Sequence, residues 1–221
     1  MKPVVGIVSY LPEELYDVRI PKVFNLLTQC KECLGYPIIM ICQGWRQEDL
    51  DKAKECAFLK SYATPLGITG ARRELQKIFI ESEYDHLIML DDDLELFGGP
   101  DSWQVYKDQL ESNPDKWGIF REKLLWLLSM PKSIYKQVEW PDKDPVNGDF
   151  IEDYWLFLYL NEFFTKQRFY YDKPLIDIIG EPSRDPDSTW YHGQFDKMKM
   201  SDSTFKTFQK HIESLSHMIN A

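Results

Sequence analysis

Three consecutive carboxylates follow an apolar run that the sequence predicts to be a buried strand. The run extends from His86 to Leu90, and Asp91, Asp92 and Asp93 come directly after it. Three carboxylates at a strand end concentrate negative charge at the carboxyl edge of a sheet, and the repulsion is costly unless a cation or strong hydrogen-bond donors relieve it. Oxygen ligands in this arrangement suit Mg²⁺ or Mn²⁺, which would bridge to the phosphates of a nucleotide.

Two adjacent arginines stand close before this strand. Arg72 and Arg73 follow the segment Gly67-Ile-Thr-Gly-Ala71, and we predict that they lie in the first turn of a helix capped by Thr69. Cations in a first turn oppose the helix dipole, so their position needs a reason. The alternative is an arginine pair that faces solvent.

The elements around these residues indicate the fold class. Short apolar runs alternate with helical patterns, which is typical of an α/β domain with a mostly parallel central sheet flanked by helices. A helix is predicted from about Pro21 to Gly35, since proline favours the first helical position and glycine the end. The predicted strands are Pro3 to Tyr10, Pro37 to Cys42, Ala57 to Tyr62 and His86 to Leu90, and later helices are predicted from Glu152 to Lys166 and from Ser201 onward.

Composition limits the classes of function. The formal net charge of −10 argues against broad nonspecific attraction to nucleic acid, because phosphate contacts need clustered lysines and arginines. No stretch approaches the roughly 18 apolar residues of a membrane span, and no signal-peptide pattern is visible, so we predict a cytoplasmic protein without membrane association. Cys30 and Cys33 form a C-x-x-C motif, but no further cysteine pair or suitably spaced histidine completes a zinc set.

The order of apolar strand, D-x-D and apolar residue in Asp91 to Leu94 resembles the metal and donor motif of GT-A glycosyltransferases. The resemblance is to family-two-like members, and it implies a single GT-A (Rossmann-like) domain with Mn²⁺ or Mg²⁺ bound against a nucleotide-sugar donor. Aspartates at strand ends also occur in Walker B segments, haloacid-dehalogenase phosphatases and receiver domains. The chain has no G-x-x-x-x-G-K-[ST] loop, and Asp93 does not end the first strand, so the first two of these rivals are excluded.

Further segments fall where a GT-A enzyme has functional residues. The stretch from Gly67 to Arg73 is similar to the Gly, Ala-Arg-Asn segment of the family, in which Arg72 would pair with the diphosphate or with the first aspartate, whereas Arg73 departs from the usual asparagine. Gly148 to Tyr154 resembles the Glu-Asp motif that supplies the catalytic base of inverting members. Acidic residues in a first helical turn, such as Asp153, also stabilise the helix dipole, so this structural role is the alternative.

The resemblance thus implies a role for each candidate residue. It implies donor binding by Ser9, Tyr10, Arg72, Arg73, Asp91 and Asp92, metal binding by Asp91, Asp93 and His192, catalysis by Asp153 with Glu152 as alternate, and acceptor binding by Trp190 and Tyr191. Residues 1–97 would form the nucleotide-sugar-binding half of the domain, and residues 98–221 the acceptor-binding half with the C-terminal helix. A lone histidine such as His192 is alternatively structural or exposed.

The activity that the resemblance implies is transfer of a sugar from a nucleoside diphosphate sugar, by family analogy a uridine one, to an acceptor hydroxyl with inversion. The compact size and the sequence around the D-x-D motif are similar to small phage and base-modification glycosyltransferases, which would make hydroxymethylated pyrimidine in DNA the acceptor. The net negative charge of the chain counts against DNA as the acceptor. Lysines such as Lys132 and Lys136 would nevertheless form a local basic groove if they cluster.

Two other functions remain as alternatives from the sequence. A sugar-phosphate nucleotidylyltransferase has a related sheet and acidic metal ligands, but it normally carries a Gly-rich loop after the first strand, where this chain has Ser9-Tyr-Leu-Pro-Glu13. A non-catalytic module would keep nucleotide or metal binding without transfer. Convergence of Asp93, Asp153 and His192 at one pocket would argue against such a module.

Overall fold

A sheet of seven strands runs through the part of the chain that the computed structural model describes, residues 1–96, 100–119, 127–140 and 152–171. The strands are β1 (Pro3–Tyr10), β2 (Ile38–Gln43), β3 (Phe58–Tyr62), β4 (His86–Asp91), β5 (Trp117–Ile119), β6 (Leu127–Pro131) and β7 (Arg168–Tyr170). Their order across the sheet is β3-β2-β1-β4-β6-β5-β7. The first four strands in this order are parallel to one another, β6 is antiparallel to β4 and β5, and β7 is parallel to β5.

The strand order places a change of direction beside β1. The chain proceeds from β1 to β2 and β3 on one side, and then returns so that β4 pairs with β1 on the other side. In open α/β sheets, ligands bind outside the carboxyl ends of the strands at such a topological switch point, because the two adjoining connections leave in opposite directions and open a crevice. The switch point between the carboxyl ends of β1 and β4 is therefore where this topology predicts a ligand site.

Helices cover both faces of the sheet. They are α1 (Tyr16–Gln29), α2 (Gln47–Ala53), α3 (Gly67–Glu81), α4 (Pro100–Glu111), α5 (Lys132–Tyr135) and α6 (Glu152–Phe164). One core cluster contains residues of α1, α2 and α4, and the other contains residues of α3, α5 and α6. No helix among the described residues combines the length and apolar character that crossing a membrane requires.

Burial on both faces explains why the central strands read as continuous apolar runs. In β1, Val5 and Ile7 belong to one core cluster, whereas Val4 and Val8 belong to the other. A strand covered by helices on both sides has no solvent-facing side that would select polar residues. The predicted α/β architecture with a mostly parallel central sheet is thus confirmed.

Two helix boundaries differ from the sequence predictions. The first helix begins at Tyr16, not at Pro21. The Tyr16 side chain is buried and its hydroxyl donates a hydrogen bond to the Asp49 carboxylate at 2.9 Å, which anchors the first turn of the helix. The third helix begins at Gly67, so Thr69 lies inside it and does not cap it. The predicted end at Gly35 is correct, since this glycine takes the left-handed conformation with φ of 69° after a π-helical turn at Cys30–Leu34.

A second left-handed glycine brings the loops after β1 and β2 together. Gly44 has φ of 74°, and a Cβ atom at this position would lie 2.5 Å from the carbonyl oxygen of Leu11. The same approach allows the Leu11 amide to donate to the carbonyl of Gln43 at 2.9 Å. A glycine is therefore required at this position for both conformation and space.

Replacement of Gly44 by alanine should lower the free energy of unfolding by about 2 kcal/mol or more, since the left-handed conformation alone accounts for about 1 to 2 kcal/mol and the clash adds to it. Gly35→Ala is the matched control, because Gly35 has a similar φ and its nearest neighbour would be the Lys31 carbonyl oxygen at 3.9 Å. Urea denaturation of both variants measures the difference. Equal losses in the two variants would contradict a steric role for Gly44.

Candidate functional site

The carboxyl ends of the four parallel strands carry the polar residues of the candidate site. Register pairs Tyr10 of β1 with Gln43 of β2, and Gln43 with Tyr62 of β3. On the other side of β1, Val8 pairs with Asp91, the last residue of β4. Parallel strands bring these ends to one edge, so the predicted carboxylate turn and the end of β1 do lie side by side.

The first carboxylate of the turn is paired with a buried arginine. Nη2 of Arg72 donates to Oδ1 of Asp91 at 2.9 Å, and Arg72 is only 2% exposed. Arg72 is the sixth residue of α3, so it lies in the second turn and not in the first as predicted. The sequence left the diphosphate and the first aspartate as its alternative partners, and in this structure the partner is the aspartate. The hydroxyl of Tyr135 lies 3.4 Å from the Arg72 carbonyl oxygen, so the buried side chain of Tyr135 packs against the backbone of Arg72.

The second carboxylate is paired with an arginine that the sequence analysis missed. Nη2 of Arg19 on α1 donates to Oδ1 of Asp92 at 2.7 Å, and Nη1 donates to the carbonyl oxygen of Tyr10 at 3.1 Å. Asp92 is 7% exposed, so the cation compensates a carboxylate that has little access to water. No local pattern marks Arg19, because its partner lies 73 positions further along the chain.

The third carboxylate, Asp93, makes no ion pair with any residue that the structure describes. Burial, followed by the negative charges of Asp91 and Asp92, raises the pKa of Asp93 to about 7, and the positive charge of Arg19 only partly opposes this. Burial also raises the pKa of Asp91, against the opposing effect of Arg72. The predicted need for positive charge is met by arginines at two carboxylates, and Asp93 is where a further cation would be stabilised.

The end of β1 offers one exposed aromatic ring. Tyr10 is 45% exposed, whereas Ser9 is fully buried and its hydroxyl accepts a hydrogen bond from the Trp45 indole at 3.1 Å. Of the two predicted donor-binding residues in this strand, Tyr10 is therefore the one whose side chain can reach a ligand. Gly44 lies beside its ring, since a Cβ atom at Gly44 would be 3.7 Å from Cε2 of Tyr10.

The end of β2 organises the loop that leads into α3. The side chain of Gln43 is buried, and its Oε1 accepts a hydrogen bond from the Leu66 amide at 2.6 Å. The sequence analysis missed Gln43, although a polar residue directly after the apolar run that ends at Cys42 is a visible signal of a strand end. At the end of β3, the hydroxyl of Tyr62 donates to the Glu74 carboxylate at 2.6 Å.

Apart from Arg73, the remaining predicted site residues have side chains outside the described part of the chain. Arg73 is partly buried on α3, next to Arg72. Glu152 and Asp153 occupy the first turn of α6, as predicted, but their side chains lie outside the described part. Trp190, Tyr191 and His192 lie outside the described residues, so their predicted roles stay predictions.

The carboxylate turn fits a divalent cation that is shared with a ligand. Within the described ranges, no three histidine, cysteine, aspartate or glutamate side chains form a group that could hold a metal ion. Magnesium, however, is usually held by one or two carboxylates together with substrate phosphates and water. Asp93, which lacks a cationic partner in the described part, and Oδ2 of Asp91 are the oxygen donors for such a site.

Sequence comparison assigns this chain to no family. No family model matches it, and no curated protein matches it.

Solved structures match by fold. A cytidylyltransferase from Leptospira borgpetersenii superposes with a TM-score of 0.56 at 12% identity, over 78% of this chain and 76% of its own. A putative glucose-1-phosphate thymidylyltransferase from Bacillus anthracis gives 0.51 at 11% identity, over 76% and 86% of the two chains. S. aureus TarS gives 0.46 at 11% identity over 62% of this chain, and the matched part spans 29% of the length of TarS. Identities this low show the fold alone, a Rossmann-like α/β fold.

Asp93→Asn should stabilise the metal-free protein at pH 8 more than at pH 5. Because the pKa of Asp93 is raised to about 7 from an ordinary value of 3.8, the native state holds a proton between these values that the unfolded state has lost. The stability of the parent protein therefore declines as pH rises through this window, and asparagine removes that loss. Thermal unfolding in EDTA at pH 5 to 8 measures the difference in Tm.

Asp115→Asn is the control for this pH series. Asp115 lies in the exposed turn between α4 and β5, so its replacement should change Tm by the same small amount at every pH. A difference between Asp93→Asn and the parent that stays constant or shrinks from pH 5 to 8 would refute the electrostatic account of the turn.

Proposed function

We propose that this chain is a glycosyltransferase that binds a nucleoside diphosphate sugar across the crevice between β1 and β4 and transfers the sugar to an acceptor hydroxyl. The observation that supports this proposal is the pair of groups on the two sides of the switch point. An exposed aromatic ring, Tyr10, ends β1, and a carboxylate turn with one unneutralised member, Asp93, ends β4. An aromatic face suits a base, and carboxylates that share a divalent cation suit a diphosphate.

In this proposal the chain's own residues orient the donor. Tyr10 stacks on the base, which family analogy makes uracil. Asp93 and Asp91 hold the divalent cation, with His192 as a further candidate ligand. When bound, Mn²⁺ or Mg²⁺ would neutralise the charge that develops on the leaving diphosphate. Arg72 holds Asp91 in place through its hydrogen bond, and so acts on the donor indirectly.

The chemical step would need a base on the side opposite the leaving group. Asp153, with Glu152 as alternate, is the proposed base; it lies at the start of α6 and would accept the proton of the acceptor hydroxyl as the new bond forms. Attack from the side opposite the leaving diphosphate would invert the configuration at the sugar carbon. Trp190 and Tyr191 would supply aromatic faces for the acceptor.

The segment after β1 favours glycosyl transfer over nucleotidyl transfer. It forms a short 3₁₀ turn at Glu13–Leu15, with two carboxylates, Glu13 and Glu14, in its first turn. A loop that cradles triphosphate presents backbone N–H groups without nearby negative charge. Arg46 pairs with Glu13 at 2.7 Å, but Glu14 leaves this turn acidic and unsuited to a triphosphate.

For the acceptor we retain a hydroxymethylated pyrimidine in DNA as the first candidate to test. Among the lysines that would form a basic groove, Lys132 makes a hydrogen bond within the protein, since its Nζ donates to the carbonyl oxygen of Ser82 at 2.7 Å. Lys136 is exposed at the end of α5. Transfer of radiolabelled glucose from UDP-glucose to hydroxymethylpyrimidine DNA, with unmodified DNA as control, measures this activity directly.

A thermal-shift screen of nucleoside diphosphate sugars with and without Mn²⁺ tests the donor assignment. A ligand that binds the native state raises apparent stability, by about 2.7 kcal/mol at a concentration one hundred times its Kd. We expect a nucleotide sugar with Mn²⁺ to raise Tm more than either component alone. If nucleotide sugars give no shift, but a nucleoside triphosphate and a sugar 1-phosphate release pyrophosphate, nucleotidyl transfer replaces this proposal.

Asp93→Ala should abolish the Mn²⁺-dependent shift and lower the rate of donor hydrolysis or transfer by about a hundredfold or more, because the leaving diphosphate loses its electrostatic stabilisation. Glu95→Ala is the matched control, since Glu95 lies two positions further on and is exposed. Full activity of Asp93→Ala, measured with the fold verified by circular dichroism, would remove the metal-site assignment.

Tyr10→Ala should weaken nucleotide binding by about 1 to 3 kcal/mol, the usual value of one base stacked on one aromatic ring. Tyr10→Phe keeps the ring and should bind as the parent protein does. Isothermal titration with UDP and Mn²⁺ measures both variants, and equal affinities for alanine and phenylalanine would show that the base is bound elsewhere.

A further inference from the structure

The guanidinium of Arg19 links the two sides of the crevice at the switch point. Its Nη1 donates to the carbonyl oxygen of Tyr10 at 3.1 Å, and its Nη2 donates to Oδ1 of Asp92 at 2.7 Å. The first acceptor belongs to the end of β1 and the second to the turn after β4. A single side chain of α1 therefore contacts both structures that would hold the donor.

Backbone pairing between β1 and β4 does not reach these acceptors. The last paired residues of the two strands are Val8 and Asp91. Tyr10 lies two residues beyond the pairing of β1, and Asp92 lies one residue beyond the pairing of β4. Beyond the last backbone pair, side-chain contacts set the distance between the end of β1 and the turn after β4. The planar guanidinium, whose donor directions are fixed, defines that distance well.

Partial burial makes the contact between Arg19 and Asp92 rigid. The side chains of Arg19 and Asp92 are 18% and 8% exposed. Charge-assisted hydrogen bonds with so little water are short and directional, and breaking one leaves a buried charge. The second oxygen of Asp92, Oδ2, is buried and accepts no hydrogen bond from the residues that the structure describes. The orientation of Asp92 within the turn thus depends on Arg19.

We propose that Arg19 is a positioning residue of the donor site, which fixes the distance between the strand end that takes the base and the turn that takes the diphosphate. This inference rests on the proposed donor site. A ligand that spans both ends gains full affinity only when the two subsites are held at the matching separation. The affinity of a ligand that occupies one end alone does not depend on that separation.

Arg19→Lys and Arg19→Met test the inference through two probes. Uridine reaches only the base side, whereas UDP with Mn²⁺ spans both sides. We expect Arg19→Lys to bind uridine within about twofold of the parent protein and UDP with Mn²⁺ about tenfold more weakly, because lysine keeps the charge but lacks the two-pronged fork. Arg19→Met should show the larger selective loss. Ligand-observed NMR for uridine and calorimetry for UDP provide the dissociation constants.

Arg46→Lys is the matched control. Arg46 also bridges two acceptors, the carboxylates of Glu13 and Asp17 at 2.7 and 2.9 Å, but on the exposed surface beside α1. It should bind both probes as the parent protein does. Parent-like binding of UDP and Mn²⁺ by Arg19→Lys, or equal weakening of both probes, would overturn the positioning role. A parent protein that binds neither probe would refute the proposed function itself, and this inference with it.

Discussion

The candidate site depends on the pairing of one buried and one partly buried arginine with the carboxylates that end β4. Three adjacent aspartates at one strand end repel one another, and Asp92, which is only 7% exposed, has little water to screen its charge. Arg72 from α3 and Arg19 from α1 neutralise the first two from opposite faces of the sheet. The turn can therefore persist in the folded protein while the third carboxylate stays without a cationic partner in the described part.

The topology of the sheet explains why these arginines are within reach. The helix that follows β1 packs on one face, the helix that precedes β4 packs on the other, and β1 and β4 are neighbours. Both helices therefore pass the same strand ends, at the topological switch point. Gly44 and Gln43 hold the loops after β2 and before α3 around that crevice, through a close backbone approach and a side-chain hydrogen bond.

The energetic state of Asp93 connects stability with function. A carboxylate whose pKa is raised to about 7 by burial and by like charges is unfavourable when ionised in the folded protein. In the proposed function, the same features would favour a cation at this carboxylate, because a bound cation would relieve the repulsion. Local destabilisation of this kind is common at functional sites, where it is offset by the packing of the surrounding core.

The sequence by itself determined the α/β class, the four parallel strands and the carboxylate turn at a strand end, because apolar periodicity and strand termination are local properties of the chain. It also placed Arg72 near that turn, although in the wrong turn of its helix. Only the tertiary structure decided which groups neutralise which aspartate, that Ser9 is buried while Tyr10 is exposed, and that Arg19 joins the two sides of the crevice. Contacts between residues 73 positions apart follow from the order of strands in the sheet, and no short-range pattern in a single sequence encodes that order.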